Sequence, residues 1–168
     1  MPRHPHHGNP DPTPAEVHAH AAAARARKRA EAEDIGIDDD FISRFVESFY
    51  ARIREDDLLG PIFATRIADW PLHLDRMKRF WRSILHNSGE FSGNPMAKHL
   101  ALPGLEEHHF AHWLELFYAT LRGLEHDPAA TREVGQRARM IADSLLTGIA
   151  MRDNGLSGAR AGANLPHV

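Results

Sequence analysis

The chain has 168 residues, enough for one ordinary domain with its own core and too few for two of that size. Charged residues make up 26 %, apolar ones 42 %, and the formal net charge is -3, which excludes the cationic excess of a nucleic-acid binder. There is no cysteine, so disulfides, thiolate metal sites and cysteine nucleophiles are excluded as well.

No apolar run approaches the roughly 20 residues of a membrane helix, and the opening residues lack the apolar stretch of a secretory signal. The expectation is a cytoplasmic protein with no membrane and no nucleic-acid partner. Residues 1 to about 14 are rich in proline and histidine, carry little apolar surface, and are expected to be disordered. From Ala15 to Glu33 the Ala, Arg and Glu content favours a helix, but Val17 is almost its only sizeable apolar side chain. Residues 1–36 thus read as a disordered to partly helical extension, and its His18 and His20 as composition rather than a metal site.

The ordered domain is expected over residues 37–154. Asp38, Asp39 and Asp40 open an amphipathic helix in which Phe41, Ile42, Phe45, Val46, Phe49, Tyr50 and Ile53 recur at helical spacing. Leu59-Gly60-Pro61-Ile62-Phe63 reads as a tight apolar corner with Phe63 turned inward. A second helix, about Asp69 to Asn87, stacks His73, Met77 and Trp81 at intervals of four and so faces His73 into the interior. After a polar loop, Asn94 and Pro95 start a short helix that Pro103 stops, with Met96, His99 and Leu102 on one strip. A third long helix, about Leu105 to Leu124, carries the stripe Phe110, Trp113, Leu114, Phe117 and Leu121. Asp127 and Pro128 start the fourth, Asn154-Gly155 ends it, and residues 155–168 are expected to form a flexible tail. No segment shows strand alternation, so the class is all-α.

Phosphate loops, His-Glu-x-x-His zinc pairs and Gly-x-Ser-x-Gly elbows are absent from the sequence. What remains is a pair of inward imidazoles, His73 and His99, on neighbouring helices. Tyr50, Phe63, Met77, Phe80, Met96, Leu102, Phe110 and Trp113 surround the gap between them. A flat apolar cofactor with one metal suits such a lining. On spacing alone, a histidine on an inner stripe reads more often as a satisfied core residue than as a ligand.

Five stretches in order resemble a known family: Phe49-Tyr50, Leu59-Gly60-Pro61-Ile62-Phe63, His73 with Phe80-Trp81, Lys98-His99-Leu100-Ala101-Leu102-Pro103, and His112-Trp113-Leu114-Glu115-Leu116-Phe117. Over about residues 37 to 154 they look like a group III truncated haemoglobin. The resemblance implies a two-over-two helical sandwich around haem b, with His99 as the iron's proximal ligand and the opposite axial position left for a gas. It implies Tyr50 and Trp113 as hydrogen-bond donors to that gas, His73 at the distal gate, and Arg76 and Lys98 at the propionates. Oxygen bound to ferrous haem carries partial negative charge, so two donors in a low-dielectric pocket hold it firmly. The implied function is binding of O2, NO or CO, with NO dioxygenation or peroxidase-like turnover as candidate reactions fed by an unknown reductase. The alternatives are a non-catalytic gas sensor or scavenger, and a haem-free helical interaction module.

Overall fold

The computed structural model describes residues 10–168, and among them every regular element is helical. The expectation for the first nine residues, with His4, His6 and His7, lies outside the described part. Seven α-helices follow one another: α1 Pro14–Asp34, α2 Asp39–Glu55, α3 Gly60–Ala64, α4 Trp70–Leu85, α5 Pro95–Leu100, α6 Glu107–Gly123 and α7 Pro128–Asn154. None of these helices is long and apolar enough to cross a membrane.

The helix starts are set by short polar side chains that accept from otherwise unpaired backbone N–H groups. Asp38 takes Phe41 N–H at 2.8 Å, Asp69 takes Leu72 N–H at 3.0 Å, Asn94 takes Ala97 N–H at 3.0 Å, and Asp127 takes Ala129 N–H at 2.8 Å. Four of the seven helices also carry proline in the first turn together with such a cap, or with the Thr13–Glu16 capping box at the head of α1.

The core is a two-over-two sandwich in which α2 packs on α4, α6 packs on α7, and α2 crosses onto α6. Aromatic rings join three of the four helices. Trp81 of α4 stacks on Phe117 of α6 at 5.3 Å, and Phe45 of α2 sits edge-on to both, at 5.4 and 5.8 Å. Phe41, Phe45, Phe49 and Phe117 are essentially inaccessible to solvent. Each buried ring of this size contributes about 1.5–3 kcal/mol from removal of apolar surface, and edge-to-face packing adds to it.

Two regions differ from the sequence expectation. The Leu59–Phe63 corner is a short helix, because Asp56 accepts from Leu58 and Leu59 N–H at 3.1 and 2.9 Å and Pro61 suits the first helical turn. The segment after Asn154 is docked along the fold instead of loose. Gly155–Gly158 forms a 3-10 turn, Leu165 is buried, and Tyr118 Oη donates to the Pro166 carbonyl at 2.7 Å. Its small residues explain this: a Cβ at Gly158 would lie 2.4 Å from the backbone of Ala150, so glycine permits a close approach that a larger side chain would prevent.

The long α1 is solvated along most of its length and attaches at its end. There Ala32 is buried, His86 Nε2 donates to the Ile37 carbonyl at 2.6 Å, and His126 Nε2 donates to the Gly36 carbonyl at 2.8 Å.

Candidate functional site

The short helix α5 holds its histidine through the backbone of its own first turn. His99 Nδ1 lies 2.7 Å from the Pro95 carbonyl, and because a carbonyl only accepts, Nδ1 carries the hydrogen. In the neutral ring the lone pair is therefore on Nε2, the arrangement a metal-binding imidazole needs. The same bond joins His18 to Pro14 in α1, where the ring stands in solvent. The bond fixes the tautomer, and the surroundings decide what Nε2 can meet.

Those surroundings are apolar and incompletely covered. Met77 and Phe80 of α4, Met96 and Leu102 around α5, Phe63 of α3 and Trp113 of α6 are all half-buried. Phe63, Met77, Phe80, Met96 and Trp113 pack one side against the core and leave part of their apolar surface uncovered, as the lining of a binding cleft does. Met96 rests against α7, its sulfur 2.6 Å from where a Cβ at Gly148 would be, and Arg152 of α7 donates to the Leu100 carbonyl at the end of α5. Phe110 stands deeper, 7 % exposed among the core side chains.

On the other wall, α2 and α4 bring Tyr50 and His73 together edge-on, with ring centres 4.9 Å apart and planes at 90°. Phe63 closes one side of Tyr50 at 5.9 Å and Trp70 closes another at 6.1 Å. Burial holds the Tyr50 hydroxyl far above its ordinary range, so it stays protonated and can donate. His73 Nε2 is buried and has no hydrogen-bond partner among the described residues. Burial, reinforced by the positive charges of Arg76 and Lys98, lowers the His73 pKa to about 4, so the ring is neutral near pH 7.

Lys98, the residue beside His99, is thus near enough to His73 for its charge to disfavour protonation of that ring. Arg76 and Lys98 are both exposed, and neither forms an ion pair among the described residues. Trp113 does not meet Tyr50 directly. It packs edge-on to Phe49 at 5.3 Å, and Phe49 in turn packs on Tyr50 at 5.1 Å.

An orphaned buried nitrogen on α4, a tautomer-fixed imidazole on α5 and half-buried apolar side chains on α3, α4 and α6 and around α5 fit a flat apolar group carrying one metal. Phe63, Met77, Phe80, Met96 and Leu102 could hold its faces, Arg76 and Lys98 its acidic edge, and His99 its metal. No cluster of three or more metal-ligating side chains occurs among the described residues, so a bare metal ion is a poorer fit. Two open cavities, of about 510 and 560 Å³, flank α1, and neither is lined by His73 or His99. The chemistry therefore points to the two histidines and not to these cavities.

Several contributors escape a sequence reading. Phe49 reads as plain core, yet it links Tyr50 with Trp113. Phe91 lies in a polar loop and packs on Phe80 at 5.1 Å. Arg54 reads as a solvated helix end, yet its guanidinium lies 4.6 Å over the Trp70 ring. The available signal was spacing: Arg54 follows Tyr50 by one turn, and His73 follows Trp70 by one turn.

No protein-family model matches the chain. It is 34 % identical over 110 residues to the "Group 3 truncated hemoglobin ctb" of Campylobacter jejuni subsp. jejuni, covering 63 % of this chain and 86 % of the relative. The crystal structure of the group III truncated hemoglobin from Campylobacter jejuni superposes with a TM-score of 0.61 at 34 % identity, over 65 % of this chain and 88 % of that one.

Proposed function

The chain belongs to the group III truncated haemoglobins and is a haem globin, and from that premise we propose that it binds O2 and other diatomic gases and turns them over in redox chemistry. The observation that carries this reading is a His73 imidazole set edge-on against Tyr50 with its buried Nε2 left without a partner among the described residues, in a chain that also fixes the tautomer of His99. We assign haem b as the cofactor, His99 Nε2 as its iron ligand, and Arg76 and Lys98 as partners of its propionates.

Haem held by His99 and the apolar side chains around it would supply an iron able to bind a diatomic molecule. His99 keeps Nε2 directed outward from its helix because Pro95 holds Nδ1–H. Tyr50 and Trp113 place an O–H and an N–H in a water-poor pocket, where a donor aimed at a partly negative ligand counts for more than it would in water. His73, neutral near pH 7, closes the pocket without adding a fixed charge. Met77, Phe80, Met96 and Leu102 exclude water from the faces of the ring.

A site that grips oxygen with two donors is better suited to reaction at the ligand than to its delivery. The reaction class we favour is dioxygenation of NO to nitrate, which consumes one electron per turnover, with reduction of peroxide to water, which consumes two, as the second; both need an external electron donor. The reading is tested by the oxygen dissociation rate of Tyr50→Phe and Trp113→Phe. Loss of either donor should speed release about tenfold or more, as expected for a charge-assisted bond of about 1.5–3 kcal/mol. Unchanged rates in both variants would remove the basis for tight gripping.

A further inference from the structure

Two side chains, Trp70 and Arg54, close the outer end of the Tyr50–His73 pair. On α2, Arg54 follows Tyr50 by one helical turn, and on α4, His73 follows Trp70 by one turn, so each helix presents two neighbours on one face. The two faces meet. Tyr50 touches the edge of His73 at 4.9 Å, Trp70 lies edge-on to the same imidazole at 5.7 Å and 86°, and Arg54 caps the Trp70 ring at 4.6 Å. The His73 ring is thus wedged between two aromatic side chains.

The outer of these aromatics is half-buried and would be free to move if nothing covered it. Arg54, exposed at the end of α2, is positioned to prevent that, because a guanidinium over an indole face is attracted by the ring quadrupole. The Trp70 backbone is fixed as well. It opens α4 directly after the Asp69 cap, with Pro71 behind it.

We propose that Trp70, clamped by Arg54, sets how fast diatomic ligands enter and leave by holding the His73 imidazole inward. The proposal rests on the gas-binding reading above and deepens it. His73 is the door, Trp70 the post against which it closes, and Arg54 the latch on the post. Trp70 and Arg54 are positioning residues, since neither is required to touch the gas. Among the described residues no hydrogen bond holds the buried Nε2 of His73, so packing from Tyr50 and Trp70 is what restrains the ring.

A brace of this kind acts on the barrier and leaves the two end states alone. Replacing it should therefore change association and dissociation by the same factor and leave affinity where it was. A distal donor behaves differently: its loss acts chiefly on dissociation. The test uses CO association after flash photolysis and CO displacement by NO, on haem-loaded wild type, Trp70→Leu, Arg54→Met and Arg54→Lys. In Trp70→Leu both rates should rise about tenfold, the size expected from losing an edge-to-face aromatic pair. In Arg54→Met both should rise about threefold to fivefold, with Arg54→Lys returning most of the way, since an ammonium also binds a ring face.

Arg54 is on the surface, so its variants report even if Trp70→Leu fails to fold. Unchanged rates in Arg54→Met and Trp70→Leu, or a change in dissociation alone, would overturn the brace while leaving the gas-binding reading intact. A wild-type protein that takes up no haem would overturn the reading beneath it.

Discussion

The two walls of the cleft are held by opposite means. The distal wall is over-determined: Tyr50 is in ring contact with Phe49, Phe63, Trp70 and His73. The proximal helix α5 has six residues, none of them fully buried, and depends on the Asn94 cap, the contact of Met96 with Gly148, and the bond from Arg152 to Leu100. The side chain proposed to bind iron therefore sits on a short helix with no fully buried residue of its own. Rigidity is concentrated where a small ligand must be oriented. Where the cofactor itself can complete the packing, the protein supplies a pre-set tautomer and little else.

Substitutions in the two walls should separate accordingly. Phe49→Ala removes the ring that connects Tyr50 with Trp113 and should cost about 3–5 kcal/mol in urea unfolding. A loss under 1 kcal/mol would mean that the distal wall is not held by packing.

Acid should act on the distal wall through His73. Its pKa is lowered to about 4 in the folded chain, against about 6.5 for a free imidazole, so the unfolded state binds the proton more readily. The resulting stability is complete above about pH 6.5 and is lost as the pH falls toward about 4. Urea midpoints at pH 7 and pH 5 should therefore differ less in His73→Leu than in the wild type. An equal difference in both would assign the acid sensitivity to other groups.

Much of the architecture was legible in the sequence because helix caps are local. Asp38, Asp69, Asn94 and Asp127 each accept from a backbone N–H within three residues, and apolar spacing alone orients Phe45, Phe49 and Trp81. Regions without a large apolar side chain were harder to read. Gly60-Pro61 suits a turn and a helix start equally, and the tail beyond Gly155 docks through small residues whose closeness to α7 depends on the helix it meets. At the site, the inward direction of His73 follows from its spacing with Met77 and Trp81. The Arg54–Trp70 clamp and the role of Phe49 as a bridge require knowing which faces of α2, α4 and α6 meet, and no single segment encodes that.

The proximal side responds to smaller changes. Asn94→Ala removes one cap and should cost about 1 kcal/mol of stability while weakening haem retention more than that figure suggests, because α5 has few other restraints. Haem transfer to a scavenging globin would measure it, and retention equal to wild type would show that α5 is fixed without its cap. The smallest effect belongs to the edge: Arg76→Gln and Lys98→Gln should each change haem retention by about 1 kcal/mol or less, as exposed ion pairs do.

The assignment of His99 as the iron's protein ligand is tested most directly by the absorption spectrum of His99→Ala after gel filtration, with and without added imidazole. The account predicts that the variant loses its haem on the column, that free imidazole restores a wild-type-like ferrous spectrum, and that His73→Ala retains haem throughout. Full haem retention and an unchanged ferrous spectrum in His99→Ala would contradict it.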